Sequence, residues 1–392
     1  MISHRQLFLN YLAQTSPSPL LLEIEKAEGI YLYSPTGKRY IDLISGIGVS
    51  NIGHRHPKVI EAIENQIQKY LHLMVYGEYV QTPQVSLAKK LVELLPKNLD
   101  SVYLVNSGSE AIEGAMKLAK RYTGRQEIIS CYKAYHGSSQ GALSVGGSEA
   151  FKQAYRPLLP AVRHIHYGSY SDLEKITQKT ACVIIETIQG EAGVMVACSN
   201  YFRALRERCS QTGTLLILDE IQAGFGRTGK LFAFEHFGIV PDVLVLAKAM
   251  GGGMPIGAFV APKEIMQTLS HNPILGHITT FGGHPVSCAA ALASLEVIVS
   301  QDWEVEQKAN LFRQLLKHPK ILSIRNKGLM MAVEFESFEI LKPIIDKAID
   351  LGVITDWFLF CDNAMRIAPP ITITYQEIEN ACKIILQAIE SI

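Results

Sequence analysis

The sequence predicts an α/β protein with a mostly parallel sheet, joined by a smaller α+β unit drawn from both ends of the chain. Three observations lead there. From about residue 101, short β-branched and aliphatic runs alternate with amphipathic helical patterns. Several runs are continuously apolar rather than alternating, as strands covered on both faces are. The chain has 392 residues, 48% of them apolar and 19% charged, which is ample for more than one core.

In chain order, GIYLYSPTGKRYIDL reads as a hairpin around Thr36-Gly37. Val59, Ile63, Ile67 and Leu71 recur at steps of four and predict a helix. Strand-like runs follow at SVYLV (101–105), EIISC (127–131), ACVIIE (181–186), TLLILDE (214–220), DVLVLA (242–247) and IGAFVA (256–261). Between the first two, Ala111, Ile112, Ala115, Leu118 and Ala119 share one helical face. The last third changes character: helix at about 304–317, strands in IRNKG and LMMAVEF, helix at about 339–351, strands near 353–355 and 365–368, helix at 375–391. The expected organisation is residues 1–45 as an N-terminal part of a small domain, 46–285 as a large domain, and 286–392 as the rest of the small one.

Composition removes several function classes. Lys+Arg 37 against Asp+Glu 37 gives zero formal charge, so nothing electrostatic invites nucleic acid or an anionic membrane. The start of the chain shows no apolar signal core, and the uncharged stretch from His271 to Leu295 is too rich in His, Pro and Gly to span a bilayer. Seven cysteines, with no Cys-x-x-Cys pair, read as buried, reduced thiols of a cytoplasmic protein. His54 and His56 in GHRHP read as a structural turn, and no metal site is expected.

Three loops follow strands of the expected sheet, at the edge where ligands gather in such folds. Val105-Asn106-Ser107-Gly108-Ser109-Glu110 runs from strand to helix, offering hydroxyls, a close-approach glycine and a helix N-terminus suited to phosphate. The same residues also suit ordinary capping. Leu218-Asp219-Glu220 puts a carboxylate at the rim, or an N-cap. Lys248 sits between an apolar strand and Gly251-Gly252-Gly253, where desolvation favours a nucleophilic amine, although a structural lysine can snorkel there. Together, a phosphate cup, an acid and a lysine on one sheet edge meet the needs of pyridoxal 5'-phosphate.

The segment LLILDEIQAGFGRTGKLFAFEHFGIVPDVLVLAKAMGGGMPIGAF resembles the signature of the class III pyridoxal-phosphate-dependent aminotransferases. Further matches are NSGSEAIEGAMKLA, YHG, ETIQGEAGV, TTFGGHP, RIAPP and SNIGHRHP, so the likeness spans roughly residues 20 to 390. It implies fold type I, with a seven-stranded, mostly parallel sheet, and a homodimer, or dimers paired into tetramers, with shared active sites. By the same resemblance Lys248 is the Schiff-base lysine and proton carrier, and Asp219 the partner of the pyridine nitrogen. Gln222 neighbours the phenolic oxygen, Gly108 and Ser109 form the phosphate loop, and Thr280 reaches the phosphate of the partner subunit. Tyr135 stacks on the cofactor and Ile221 packs its other face. Arg366 pairs with a substrate carboxylate, Glu191 holds that arginine aside when the other substrate binds, and Glu186 lies near the same site.

The resemblance implies an ω-aminotransferase that uses an amino donor of the acetylornithine, ornithine or 4-aminobutyrate type and a 2-oxo acid acceptor such as 2-oxoglutarate. Two substrate-reading positions disagree about the donor. Ser138 stands where many members carry an arginine, whereas Ile47, a tyrosine in ornithine enzymes, matches the acetylornithine and 4-aminobutyrate types. His284 replaces a common asparagine. An aminomutase or a decarboxylating transaminase of the same family shares these motifs. A nucleotide-binding dehydrogenase would need Gly-x-Gly-x-x-Gly after the first parallel strand, which is missing. A non-catalytic homologue would be expected to have lost the lysine or the acid.

Overall fold

The computed structural model describes residues 3–75 and 77–392. After a helix at His4–Tyr11, the N-terminal hairpin strands β1 (Lys26–Glu28) and β2 (Tyr31–Tyr33) are followed by antiparallel β3 (Arg39–Asp42). The large sheet follows: β4 (Ser101–Val105), β5 (Glu127–Cys131), β6 (Val162–Ile165), β7 (Thr180–Glu186), β8 (Leu215–Asp219), β9 (Val243–Ala247) and β10 (Gly257–Ala261). Its order is β4-β10-β9-β8-β7-β5-β6, and only β10 runs antiparallel to its neighbours. The C-terminal ends of β4, β8 and β9 therefore share one edge.

Every residue of β7, β8, β9 and β10 is buried, which explains the unbroken apolar runs. Successive side chains point to opposite faces. On β8, Leu216 and Leu218 join the core that holds Tyr201, Phe202 and Leu205 of helix Ser199–Thr212. Leu215 and Ile217 join the other core, with Ala111, Ile112, Ala115 and Leu118 of helix Gly108–Thr123.

The rest of the chain builds β11 (Ser323–Lys327), β12 (Met330–Glu334), β13 (Val353–Ile354), β14 (Trp357–Phe358) and β15 (Cys361–Ile367). An antiparallel sheet runs β11-β12-β15-β14, while β13 adds in parallel to β3, tying the N-terminal hairpin to the C-terminal third. A separate core joins Leu43 with Phe312, Ile344, Ile345 and Ile385.

Four expectations need correction. β6 was not expected, because Arg163 and His164 break its apolar pattern at the sheet edge. β15 begins at Cys361 rather than near 365, and β14 pairs with it as a two-residue strand. The helix with Val59 and Ile63 stops at Ile67, leaving Leu71 outside it and exposed. Helix Pro285–Ile298, expected beyond the boundary at 285/286, packs on helices Pro57–Ile67 and Thr82–Leu94, and its Cys288, Ala291 and Leu295 belong to the large-sheet core. The core changes between Ile298 and Val305. Five cysteines are buried, but Cys198 is exposed and Cys361 half-buried; all seven are free thiols. No helix of the described residues is long and apolar enough to cross a membrane.

Candidate active site

A cavity of about 460 Å³ opens where β4, β8 and β9 end. Nine of the residues singled out from the sequence line it: Gly108, Ser109, Tyr135, Glu186, Glu191, Asp219, Ile221, Gln222 and Lys248.

The phosphate-cup segment becomes a helix N-terminus. Ser107 caps helix Gly108–Thr123, its hydroxyl accepting from Glu110 N at 3.2 Å. Glu110 folds back to accept from the backbone and side-chain nitrogens of Asn106, so its charge is turned onto the loop. The amides of Gly108 and Ser109 lie in the first turn, where no intrahelical acceptor exists. Two glycines let the backbone close around them. A Cβ at Gly257 would lie 2.4 Å from Ser107 O, and one at Gly137, whose φ is 124°, would lie 2.0 Å from Ser109 Oγ.

Asp219 ends β8 with its carboxylate buried. Oδ1 accepts from Ile221 N at 2.9 Å and Oδ2 accepts from His136 Nδ1 at 2.7 Å. With Nδ1 donating, His136 Nε2 can accept from the Ser130 hydroxyl, 3.2 Å away. Each Asp219 oxygen, with one donor, keeps a further lone pair, and the residue lines the cavity. Glu220, the next residue, faces the opposite way. It accepts from Thr187 Oγ1 and from the amides of Ala233 and Phe234, and burial pushes its carboxyl up to about 7.

Lys248 follows β9 with a left-handed φ of 50°, a sparsely populated conformation for a side-chain-bearing residue. Desolvation holds its amine below the ordinary lysine value, against the pull of Glu191, Asp219 and Glu186. Glu186 accepts from Tyr135 N and Gly190 N, yet burial, with the charge of Asp219, drives its carboxyl well above the usual range.

Glu191 and Arg366 form a buried bidentate pair, with Nη1 and Nη2 each 2.9 Å from a carboxylate oxygen. Gln222 Nε2 and Leu359 N also donate to Glu191. Burial pulls the Glu191 carboxyl upward, but the Arg366 charge and these bonds outweigh it and hold it at about 2. Asp356 takes the Nε side of Arg366 at 2.9 Å.

Four residues given a site role from the sequence do not line the cavity. Arg366 reaches it through Glu191. Ile47, in a left-handed run from Ser45 to Gly48, lines a small adjoining cavity with Gln222, Phe358 and Arg366. Ser138 is exposed, 3.3 Å from the Tyr135 hydroxyl. Thr280 is exposed in the segment before helix Pro285–Ile298. His54 is engaged by Asp42 at 2.8 Å.

His136 and Asp356 carried no role in the sequence reading. The Tyr-His-Gly motif exposed the first as a candidate; nothing local marked the second.

Nearly the whole chain, residues 11–389, matches the family model described as aminotransferase class-III. The chain belongs to that family. It is a pyridoxal-phosphate-dependent aminotransferase of fold type I. It is 41% identical over 370 residues to an acetylornithine aminotransferase of Methanocaldococcus jannaschii, covering 90% of each chain. Among solved structures it superposes on an adenosylmethionine-8-amino-7-oxononanoate aminotransferase of the same organism with a TM-score of 0.92, at 30% identity over 99% of this chain and 98% of that one. An ornithine aminotransferase of Toxoplasma gondii, with partial occupancy of PLP at its active site, gives 0.91 at 29% identity, over 98% and 93% of the two chains.

The cavity suits that cofactor. The first-turn amides of Gly108 and Ser109 could receive a phosphate, Asp219 has acceptor capacity for a protonated pyridine nitrogen, and a lysine amine of depressed basicity lines the same cavity.

Proposed function

We propose that this aminotransferase is an ω-aminotransferase, taking the amine from a donor of the acetylornithine, ornithine or 4-aminobutyrate type and delivering it to a 2-oxo acid such as 2-oxoglutarate. The observation that carries the reading is the buried Glu191–Arg366 pair beside Lys248. A ping-pong enzyme must accept two unlike substrates in one pocket. An arginine that is neutralised for the donor, and released for a dicarboxylate acceptor, meets that demand. The identity to an acetylornithine aminotransferase adds support for the donor class.

Bound pyridoxal phosphate supplies the electron sink that makes a proton next to the substrate amine removable. The chain's residues do the rest. With that cofactor bound, Lys248 would hold its carbonyl carbon and would carry the proton taken from the substrate carbon. Asp219, backed by His136, would keep the ring nitrogen protonated. Gly108 and Ser109 would hold the phosphate, Tyr135 and Ile221 would flank the ring, and Gln222 would neighbour its phenolic oxygen. Glu186 lies beside Tyr135, and Ile47, from the small adjoining cavity, and Ser138, beside the Tyr135 hydroxyl, would read the donor. The working form is a cytoplasmic homodimer in which Thr280 completes the partner's phosphate site. Exposed apolar Leu71, Val80, Ile278 and Phe281 around that segment support a second copy as the occupant of this face.

The test is a donor panel with 2-oxoglutarate, following the absorbance of the bound cofactor. Loss of absorbance with acetylornithine, ornithine or 4-aminobutyrate, restored by 2-oxoglutarate, supports the proposal. Failure with all three means that Ser138 marks a pocket for other amines.

A further inference from the structure

The guanidinium of Arg366 has five N–H donors in a fixed fork, and its surroundings divide them unequally. The outer edge, Nη1 and Nη2, is covered by Glu191. Its other hydrogen bonds among the described residues, and its ring contact, come from three consecutive residues. Asp356 Oδ1 accepts from Nε at 2.9 Å, Trp357 O accepts from Nη2 at 3.2 Å, and the Phe358 ring lies 4.4 Å from the guanidinium carbon. The Arg366 amide also donates to Asp356 O at 2.8 Å. One step further on, the same turn reaches Glu191: Leu359 N donates to Oε2 at 3.1 Å, and Phe360 N to the Glu191 carbonyl at 3.0 Å.

A five-residue segment thus holds both the arginine and the acid that closes it, and Asp356 is its only charged contact with the arginine among the described residues. When Glu191 leaves, Arg366 would otherwise be a buried cation without a counter-ion, which is strongly unfavourable. It would also have lost the strongest bonds fixing its orientation. With Asp356 in place neither happens. Without Asp356 the one ionic partner left is Glu191, and the guanidinium would follow that carboxylate as it moves.

We infer that Asp356 is a positioning residue for the acceptor half-reaction, anchoring Arg366 from behind so that the carboxylate of a 2-oxo dicarboxylic acid can replace Glu191 on Nη1 and Nη2. The inference rests on the proposed role of Arg366 in acceptor binding. It assigns Asp356 no contact with substrate or cofactor. Its charge acts alike on Glu191 and on an incoming carboxylate at the same place, so its contribution is geometric.

The test separates the two half-reactions of the holoenzyme. Donor turnover is measured without any 2-oxo acid. Acceptor turnover is measured by loading the enzyme with amine, removing the donor and adding 2-oxoglutarate. Asp356→Ala is expected to raise the 2-oxoglutarate KM about ten- to a hundred-fold, the scale on which a misplacement of about 1 Å acts. Its donor half-reaction should stay within about two-fold. Asp356→Asn keeps an oxygen for Nε and should return the KM to within about three-fold of the wild type. Asp356→Glu keeps the charge but displaces the oxygen, and should fall between Asn and Ala; it keeps the test open should the alanine variant not fold. An unchanged acceptor KM in the Ala and Glu variants overturns the inference, as does an equal loss in both half-reactions. If the wild type does not use 2-oxoglutarate at all, the underlying reading of Arg366 fails first.

Discussion

Glu191→Gln measures how firmly the arginine is closed. Glu191 is held at about 2 against an ordinary 4.5. At about 1.36 kcal/mol per pKa unit, its ionised form is favoured by about 3 kcal/mol. An acceptor carboxylate has to displace that interaction before it gains its own. Glutamine retains one acceptor oxygen but turns an NH2 group toward an arginine donor, so most of the advantage is lost. The expected result is a 2-oxoglutarate KM about 10- to 100-fold lower, since about 1.4 kcal/mol corresponds to a factor of ten. Inhibition of the donor half-reaction by 2-oxoglutarate should appear with it, because Arg366 then stays open. Half-reaction kinetics on the cofactor absorbance would measure both. An unchanged or higher KM would refute the competition argument. The same pair has a pH signature. A carboxyl whose folded value is depressed stabilises the fold above its unfolded value and loses that contribution as pH falls through the folded one. Wild-type stability should therefore drop between about pH 4.5 and 2 by more than that of the glutamine variant, as acid-unfolding curves would show.

Three further substitutions probe the cavity. Lys248→Ala should abolish transamination, and substantial turnover without an added amine would contradict the role given to the lysine. Gly257→Ala places a Cβ 2.4 Å from the Ser107 carbonyl; a backbone atom cannot give way cheaply, so thermal denaturation should show a loss of about 1–3 kcal/mol. Cofactor affinity should weaken with it. His136→Phe leaves Asp219 buried without its 2.7 Å partner; kcat should fall at least about ten-fold and stability by about 1–3 kcal/mol, and a variant with normal kcat would show that Asp219 acts without the histidine.

What the sequence disclosed follows from how local each signal is. β7, β8, β9 and β10 are buried at every position, so aliphatic runs alone reveal them. Asp219, Lys248 and the Ser107–Ser109 segment were legible because each sits directly after such a strand, and parallel strands bring their ends to one edge. β6 was hidden because an edge strand can carry Arg163 and His164 on its polar sides. The helix Pro285–Ile298 does not announce its core in the sequence, because its pattern is apolar nearly all round and names no partner. His136 was visible in a motif, but its partner Asp219 lies 83 residues away. Strand alternation also separates Asp219 from Glu220, yet it does not say which of the two faces the cavity.

The electrostatics of the cavity explain why Lys248 can be a weakly basic amine with three acids around it. Each acid is occupied or neutralised by a different device. Glu191 gives its charge to Arg366 at two oxygens. Asp219 accepts from His136 at one oxygen and from the Ile221 amide at the other, with a further lone pair left on each. Glu186 is driven toward its neutral form by burial and by the charge of Asp219. Arg366, in turn, opposes protonation of the lysine. Desolvation is then left as the dominant influence on the amine, and it acts in the direction a nucleophile requires. Sequence reasoning found the lysine and all three acids. It had no access to the devices that keep the acids from protonating the lysine, because those depend on Asp356, His136 and Leu359, residues whose importance arises only from where the fold puts them.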